Sequence, residues 1–311
     1  MMSLWYETDY YRAFRCKCGE CRHTCCRGWQ IDVTEQEYFR LIGMDCSGKL
    51  HHKLECAFTK PEEVTDEVYR VMAPNWQGDC HLLDRDGMCM LQRERGETVL
   101  PKICRLYPRS LRREGNMHRA CCSCSCEAVV ETLLKQDRLT MVCREDDLET
   151  ALEEDIPEGG NVLIHRCMRL LQDRRLPLLQ RIHLICAATG CDSLPGKAEM
   201  DDALDTLMEM APNLGQYMNR ENQPAPDTER QKENLLSNHL IYMDFPFVDQ
   251  RLATEDAGYG LMLAYALLCR MDGHQGDTLA DAYAEAFRLI EHTSFYYNAK
   301  VMLGREKTDE K

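Results

Sequence analysis

The sequence has no long apolar run. Its longest, Gly258 to Cys269, is twelve residues, short of the ~20 needed to cross a bilayer as a helix. The opening stretch, Met1 to Arg15, carries acids and aromatics without the apolar region of a secretion signal. An excess of positive charge is also missing. The net charge is −14 and the pI is near 5.2, which excludes a non-specific nucleic-acid binder, whose surface must be basic. No sustained strand alternation is visible and no internal repeat stands out. These absences point to a protein that binds neither nucleic acid nor membrane, located in the cytoplasm, where thiols stay free or bind metal.

What is present in excess is cysteine, 19 in 311 residues. A chain with 44% hydrophobic residues builds a core without covalent staples, and secreted disulfide scaffolds are usually much smaller. Residues 1–126 hold 14 of the cysteines and carry 19 Lys+Arg against 18 Asp+Glu; residues 127–311 carry 19 against 34, a balance of −15. Cysteine density and charge change together near residue 126. The expected organisation is a cysteine-rich metal or iron–sulfur domain over residues 1–130 and a helical domain over residues 131–311.

Helical period dominates the second part. Helices are expected over Glu127–Val142, Asn161–Leu176, Pro177–Thr189, Glu199–Ala211, Arg230–Tyr242, Glu255–Met271 and Thr278–Ala299. Glu145–Glu158 is acidic and should end as a loop at Pro157-Glu158-Gly159-Gly160, and Arg305 to Lys311 should fray. In the first part, Thr34-Glu35-Gln36-Glu37 has the form of a capping box, followed by Tyr38, Leu41 and Ile42 on one helical face. The predicted fold class is mainly α, with a loop-rich cysteine-cluster N-terminal part packed on an all-helical C-terminal part.

Five thiols lie within eleven residues: Cys16, Cys18, Cys21, Cys25 and Cys26. Short loops let such thiolates converge on one soft metal centre, although adjacent Cys25 and Cys26 do not easily face the same one. Cys80, Cys89 and Cys104 follow, then Cys121, Cys122, Cys124 and Cys126. Zinc favours paired knuckles, whereas iron–sulfur clusters accept irregular spacing. Spacing leaves a cluster, zinc or neither open. A basic segment, Lys102, Arg105, Arg109, Arg112, Arg113 and Arg119, lies among these cysteines. It reads plainly as a solvated stretch, or as charge compensation for an anionic thiolate centre. Arg105 and Arg109 are the candidate cofactor-binding residues, since a guanidinium can hold a carboxylate through two hydrogen bonds. His81 and His118 could replace a thiolate, but a lone histidine is more often structural, and His292, among apolar helix neighbours, reads as packing. Gly258-Tyr259-Gly260 has no preceding strand and is no nucleotide fingerprint. Cys143, Cys167, Cys186, Cys191 and Cys269 read as small core residues.

The stretch Phe14-Arg15-Cys16…Cys21…Cys25-Cys26-Arg27-Gly28-Trp29-Gln30-Ile31 resembles the opening of flagellin lysine N-methylases. Gly78-Asp79-Cys80-His81-Leu82-Leu83, Gly87-Met88-Cys89-Met90-Leu91-Gln92 and Ile103-Cys104-Arg105-Leu106-Tyr107-Pro108-Arg109 resemble later family segments in the same order. Asn234-Leu235-Leu236 with Phe245-Pro246-Phe247 resembles a landmark in the helical part. Cys18 is extra relative to the family spacing. Ser123-Cys124-Ser125-Cys126-Glu127 lacks the family's proline, so either Cys124 or Cys126 is the equivalent cysteine.

The resemblance implies methyl transfer from S-adenosylmethionine to lysines of flagellin, with a [4Fe-4S] cluster or, alternatively, zinc. The implied ligand candidates are Cys16, Cys21, Cys25, Cys26, Cys80, Cys89, Cys104, Cys124 and Cys126. A radical-type Cys-x3-Cys-x2-Cys run and a glycine-loop methyltransferase pattern are both missing. The donor site and the general base are therefore not located. The alternatives are a non-catalytic iron- or zinc-binding protein, for metal delivery or redox sensing, and a structural zinc module on a helical interaction domain.

Overall fold

The computed structural model describes residues 4–114, 117–145, 148–151, 161–191, 193–218 and 228–305. They form two compact units, Arg15–Tyr107 and, from both sides of it in the chain, Met1–Phe14 with Pro108–Lys311. The change of composition near residue 126 lies inside the larger unit.

Strand β1 (Leu4–Thr8) opens the larger unit. The smaller unit then contributes β2 (Ile31–Val33), α1 (Glu35–Ile42), α2 (Gly48–Ala57), β3 (Phe58–Thr59), β4 (Arg70–Met72), α3 (Met90–Arg95) and α4 (Lys102–Leu106). The capping box forms as expected. Thr34 Oγ1 accepts from the Glu37 N–H at 3.3 Å, and Glu37 Oε2 accepts from the Thr34 N–H at 3.0 Å. Ser47 caps α2 by accepting from the Leu50 N–H. Leu50, Leu54 and Ala57, at helical spacing, then bury one face beside Leu41, Met72, Leu82 and Leu91. Each fully buried leucine of this kind stabilises by about 2 kcal/mol. The unit is not clearly loop-rich, since it carries these helices and strands, and β2, β4 and β3 pair antiparallel in that order.

The larger unit continues with β5 (Arg109–Glu114), β6 (Met117–Cys122), α5 (Glu127–Lys135), β7 (Met141–Glu145) and β8 (Leu148–Ala151). The helices α6 (Asn161–Leu171), α7 (Leu178–Thr189), α8 (Lys197–Met210), α9 (Pro212–Gly215), α10 (Thr228–Tyr242), α11 (Thr254–Cys269), α12 (Gly276–His292) and α13 (Phe295–Met302) complete it. Mainly α is correct, but an all-helical second part is not. β1 is the centre of a five-stranded sheet of order β5-β6-β1-β7-β8, parallel to β6 and antiparallel to β7. The residues expected to end the first of the predicted helices instead form β7, because their partner is β1, more than a hundred positions earlier. The helix expected over Thr278–Ala299 breaks at Thr293, where the backbone becomes extended. The expected loop at 157–160 and the frayed end from 306 onward lie outside the described residues.

α10 is a polar helix buried on all sides. Lys232, Glu233, Asn234, Ser237, Asn238 and His239 are all enclosed. A buried polar group costs several kcal/mol unless paired, and here each key group has a partner. Lys232 meets Asp272 at 2.5 Å, and Glu233 takes Arg181 at 2.6 Å and Arg174 at 2.9 Å. Asn234 Nδ2 donates to the Leu133 and Gln136 carbonyls, and its Oδ1 accepts from the Leu139 N–H. His239 lies between Glu291 and Tyr296. Gly258 and Gly260 belong to α11, where their lack of a Cβ admits close neighbours. A Cβ on Gly258 would stand 2.3 Å from Thr189 Oγ1, and one on Gly260 2.3 Å from the Tyr296 ring.

Candidate metal centre

Two copies of one turn deliver two of the cysteines. In Asn75-Trp76-Gln77-Gly78-Asp79-Cys80, Asn75 Oδ1 accepts from the Gln77 and Asp79 N–H groups at 2.8 and 3.1 Å. In Asp84-Arg85-Asp86-Gly87-Met88-Cys89, Asp84 Oδ1 accepts from the Asp86 and Met88 N–H groups at 2.9 and 3.0 Å. Such side chains mimic a backbone turn. Gly78 and Gly87 have φ of 83° and 77°, left-handed values that cost glycine no steric penalty. Two residues beyond each cysteine a leucine, Leu82 or Leu91, is buried in the small core and anchors the turn. The signal Asx-x-x-Gly-x-Cys-x-Leu, repeated nine positions apart, is legible in the sequence, and the expectation of no repeat overlooked it.

Bridges draw the segments together. Cys80 N–H donates to the Cys26 carbonyl at 2.7 Å, and Gly28 N–H donates to the Gly78 carbonyl at 2.8 Å. Arg27 pairs with Asp79 along the backbone, and its Nε lies 2.6 Å from Asp79 Oδ1. Leu83 bridges to Cys89. Cys104 stands on α4.

The Cys80, Cys89 and Cys104 thiols are each perturbed by Cys26. The Cys104 thiol is pushed up by the protein mass around it first, although the residue reaches solvent, and then by Cys26, Cys80 and Cys89. Cys80 is pushed up to about 12, mainly by burial, with Cys26 and Cys89 adding to it. Cys89 is raised by burial and by Cys26. Cys26 goes the other way, down to about 7, because the Cys25 thiol hydrogen-bonds to it and Thr24 adds a second bond. Four thiols that resist joint ionisation are the donor chemistry of a soft cation, whose charge removes the mutual repulsion. As they stand, no three His, Cys, Asp or Glu side chains among the described residues form a group that could hold a metal ion.

The remaining candidates divide between the two units. Cys16 accepts from the Cys18 N–H at 3.2 Å, and Cys18 Sγ takes a long contact from Gln92 Nε2 at 3.7 Å. Cys21 follows the short 3-10 turn Cys18–Glu20, and Cys25 serves Cys26. Cys124 and Cys126 belong to the larger unit. Cys124 is buried there and accepts from Asn238 Nδ2 at 3.1 Å, and Cys126 precedes α5. His118 is in the same unit and stacks on Trp5 at 4.4 Å. His292, expected to be packing, instead reaches Ser125 Oγ through Nε2 at 2.8 Å.

The two candidate arginines differ. Arg105 is exposed on α4 of the smaller unit. Arg109 belongs to the larger unit, donates to the Phe14 carbonyl at 2.9 Å and lies over the Phe14 ring at 5.2 Å. It also offsets the buried Cys122 thiol, which burial pushes up to about 12.

Comparison with known proteins gives a local match. The chain is 26% identical over 131 residues to proteins named Lysine-N-methylase from Salmonella typhimurium and Salmonella choleraesuis, covering 41% of this chain and 32% of each. It is 25% identical over 131 residues to the flagellar biosynthetic protein FliU of Salmonella muenchen, covering 75% of that protein. The relationship is distant. The chain spans about a third of the length of the two methylases it matches. No protein-family model matches it, and neither does any solved structure. Among the described residues no helix is long and apolar enough to cross a membrane.

Proposed function

We propose that this chain is a protein-lysine N-methyltransferase acting on flagellin with S-adenosylmethionine, and that Cys26, Cys80, Cys89 and Cys104 hold a [4Fe-4S] cluster. The observation that carries the reading is the four-thiol group of the smaller unit, in a chain distantly related to proteins named for lysine methylation. Cys26, already acidic, supplies the first thiolate; the other three ionise only against a cation. The repeated turns hold two of the four sulfurs at defined positions. When bound, the cluster supplies a soft, redox-capable centre. The attacking lysine amine must be neutral, and its attack is favoured wherever burial or a base lowers its pKa. The −15 balance of residues 127–311 favours encounter with a lysine-bearing surface.

A second reading is a non-catalytic iron- or zinc-binding protein. It is favoured by the match covering about a third of each methylase. Protein purified without oxygen should be brown and carry iron and sulfide in about equal amounts. With S-adenosylmethionine and flagellin from the same source it should leave methyl groups on lysines, read by peptide mass spectrometry. Colourless protein with stoichiometric zinc sinks the cluster, and a metal-loaded protein that leaves flagellin unmethylated favours the second reading.

A further inference from the structure

The larger unit has an arginine-lined groove in a chain of strongly negative charge. Arg138 lies in the turn after α5, Arg166 and Arg169 stand three apart on α6, and Arg174 and Arg175 lie in the turn before α7. Asp173 is the acid among the lining residues of this open cavity of about 980 Å³. Its carboxylate is taken at 2.7 Å by both Nε and Nη2 of Arg175. Arg174 is spent on the buried Glu233. Arg138 gives one long bond, 3.4 Å, to the Gln172 carbonyl. Arg138, Arg166 and Arg169 are exposed, and among the described residues none of the three pairs with a carboxylate. The local field is felt inside the unit: half-buried His165 is lowered to about 4, by burial first and then by Arg169 and Arg119.

Three guanidiniums on one concave surface, with no paired carboxylate among the described residues, repel one another. An anion removes that cost and accepts several forked N–H pairs at once. Two features choose the ligand. The acidic balance of residues 127–311 works against a long polyanion that would extend past the groove, which disfavours nucleic acid. The close spacing on α6 suits charge concentrated in one small group rather than carboxylates strung along a peptide. We infer that the groove formed by Arg138, Arg166 and Arg169 binds a small phosphate-bearing ligand of the pyrophosphate class.

Calorimetric titration of the whole metal-loaded chain with sodium pyrophosphate tests this. Saturable one-to-one binding is expected, weakening as salt is raised. The exposed double variant Arg166→Ala/Arg169→Ala should bind at least about tenfold more weakly, the loss of roughly one charge-assisted contact. Arg169→Lys, which keeps charge and loses the fork, should fall between. Arg251→Ala, outside the groove, should bind as the parent does. Unchanged melting and circular dichroism establish that each variant is folded. The inference is overturned by absence of saturation, by a folded double variant that binds as the parent does, or by tighter binding of a single-stranded oligonucleotide or a glutamate-rich peptide than of pyrophosphate.

Discussion

The two units use the same residue type in opposite ways. All nineteen cysteines lie among the described residues as free thiols. In the smaller unit, Arg15–Tyr107, none of the ten is fully buried; in the larger unit none of the nine is exposed. Thiols at intermediate depth, on turns, with one another as neighbours, remain available to a metal. Thiols such as Cys124, Cys167 and Cys186 are packed with leucines and isoleucines and act as small apolar groups. The units also differ in how they treat charge. The smaller keeps its ion pairs at the surface, as in Arg93 with Asp84 and Asp86, whereas the larger encloses Lys232 with Asp272 and Arg181 with Glu233. Density of cysteine therefore says little about use; surroundings decide it.

The sharpest way to break this comparison is to exchange sulfur for oxygen in each unit. Cys80→Ser or Cys104→Ser should weaken metal binding at least about a hundredfold, beyond the 10–100-fold typical of outer partners, with metal analysis as the readout. Cys167→Ser should leave metal content unchanged and cost at most a few kcal/mol in denaturant melts. Equal metal content in all three variants would make the four-thiol assignment wrong.

Next in size is the buried pair. Lys232→Met leaves Asp272 enclosed and uncompensated, and should destabilise the larger unit by about 3–5 kcal/mol. Arg93→Met in the smaller unit removes only surface pairs, which solvent screens, and should cost far less. Chemical denaturation of both variants tests the contrast; similar losses would erase it.

His165 gives the larger unit a pH dependence. Its folded pKa lies below the unfolded value of 6.5, at about 4, so its contribution is full above pH 6.5 and is lost as pH falls toward 4. The size is on the order of 3 kcal/mol. His165→Phe, which keeps the ring beside Tyr6, should flatten the difference in stability between pH 7 and pH 4.5. If wild type and variant decline in parallel, burial of this ring is not coupled to ionisation.

The smallest contrast concerns glycines. Gly258→Ala drives a methyl against Thr189 and Cys191 and should cost about 1–3 kcal/mol by overpacking. Gly78→Ala meets nothing within 4 Å, so only the strain of φ 83° opposes it, about 1 kcal/mol. Differential melts of the two variants check the order.

Much of the helical content was legible. α1 follows from its capping box, and α7, α10 and α11 begin within two residues of where the apolar period places them. The sheet was not. β5, Arg-Ser-Leu-Arg-Arg-Glu, has no alternation because it is an edge strand. β6 ends in four successive buried residues because it is covered on both faces. The candidate site was partly legible. Nine cysteines met the pattern, and the sequence could not say which converge.

Local chemistry is what the amino-acid order determines here. It specifies caps, helical period, the two Asx-x-x-Gly-x-Cys turns and the excess of thiols, because each depends on residues within one or two turns of the chain. The tertiary structure alone decided that β1 joins strands more than a hundred positions away. It likewise bridged the Cys26 segment to the Cys80 turn through backbone hydrogen bonds, and made the polar helix α10 a buried one. These outcomes depend on backbone bridges and buried partners supplied by distant segments, and their free energy exists only once those segments have met.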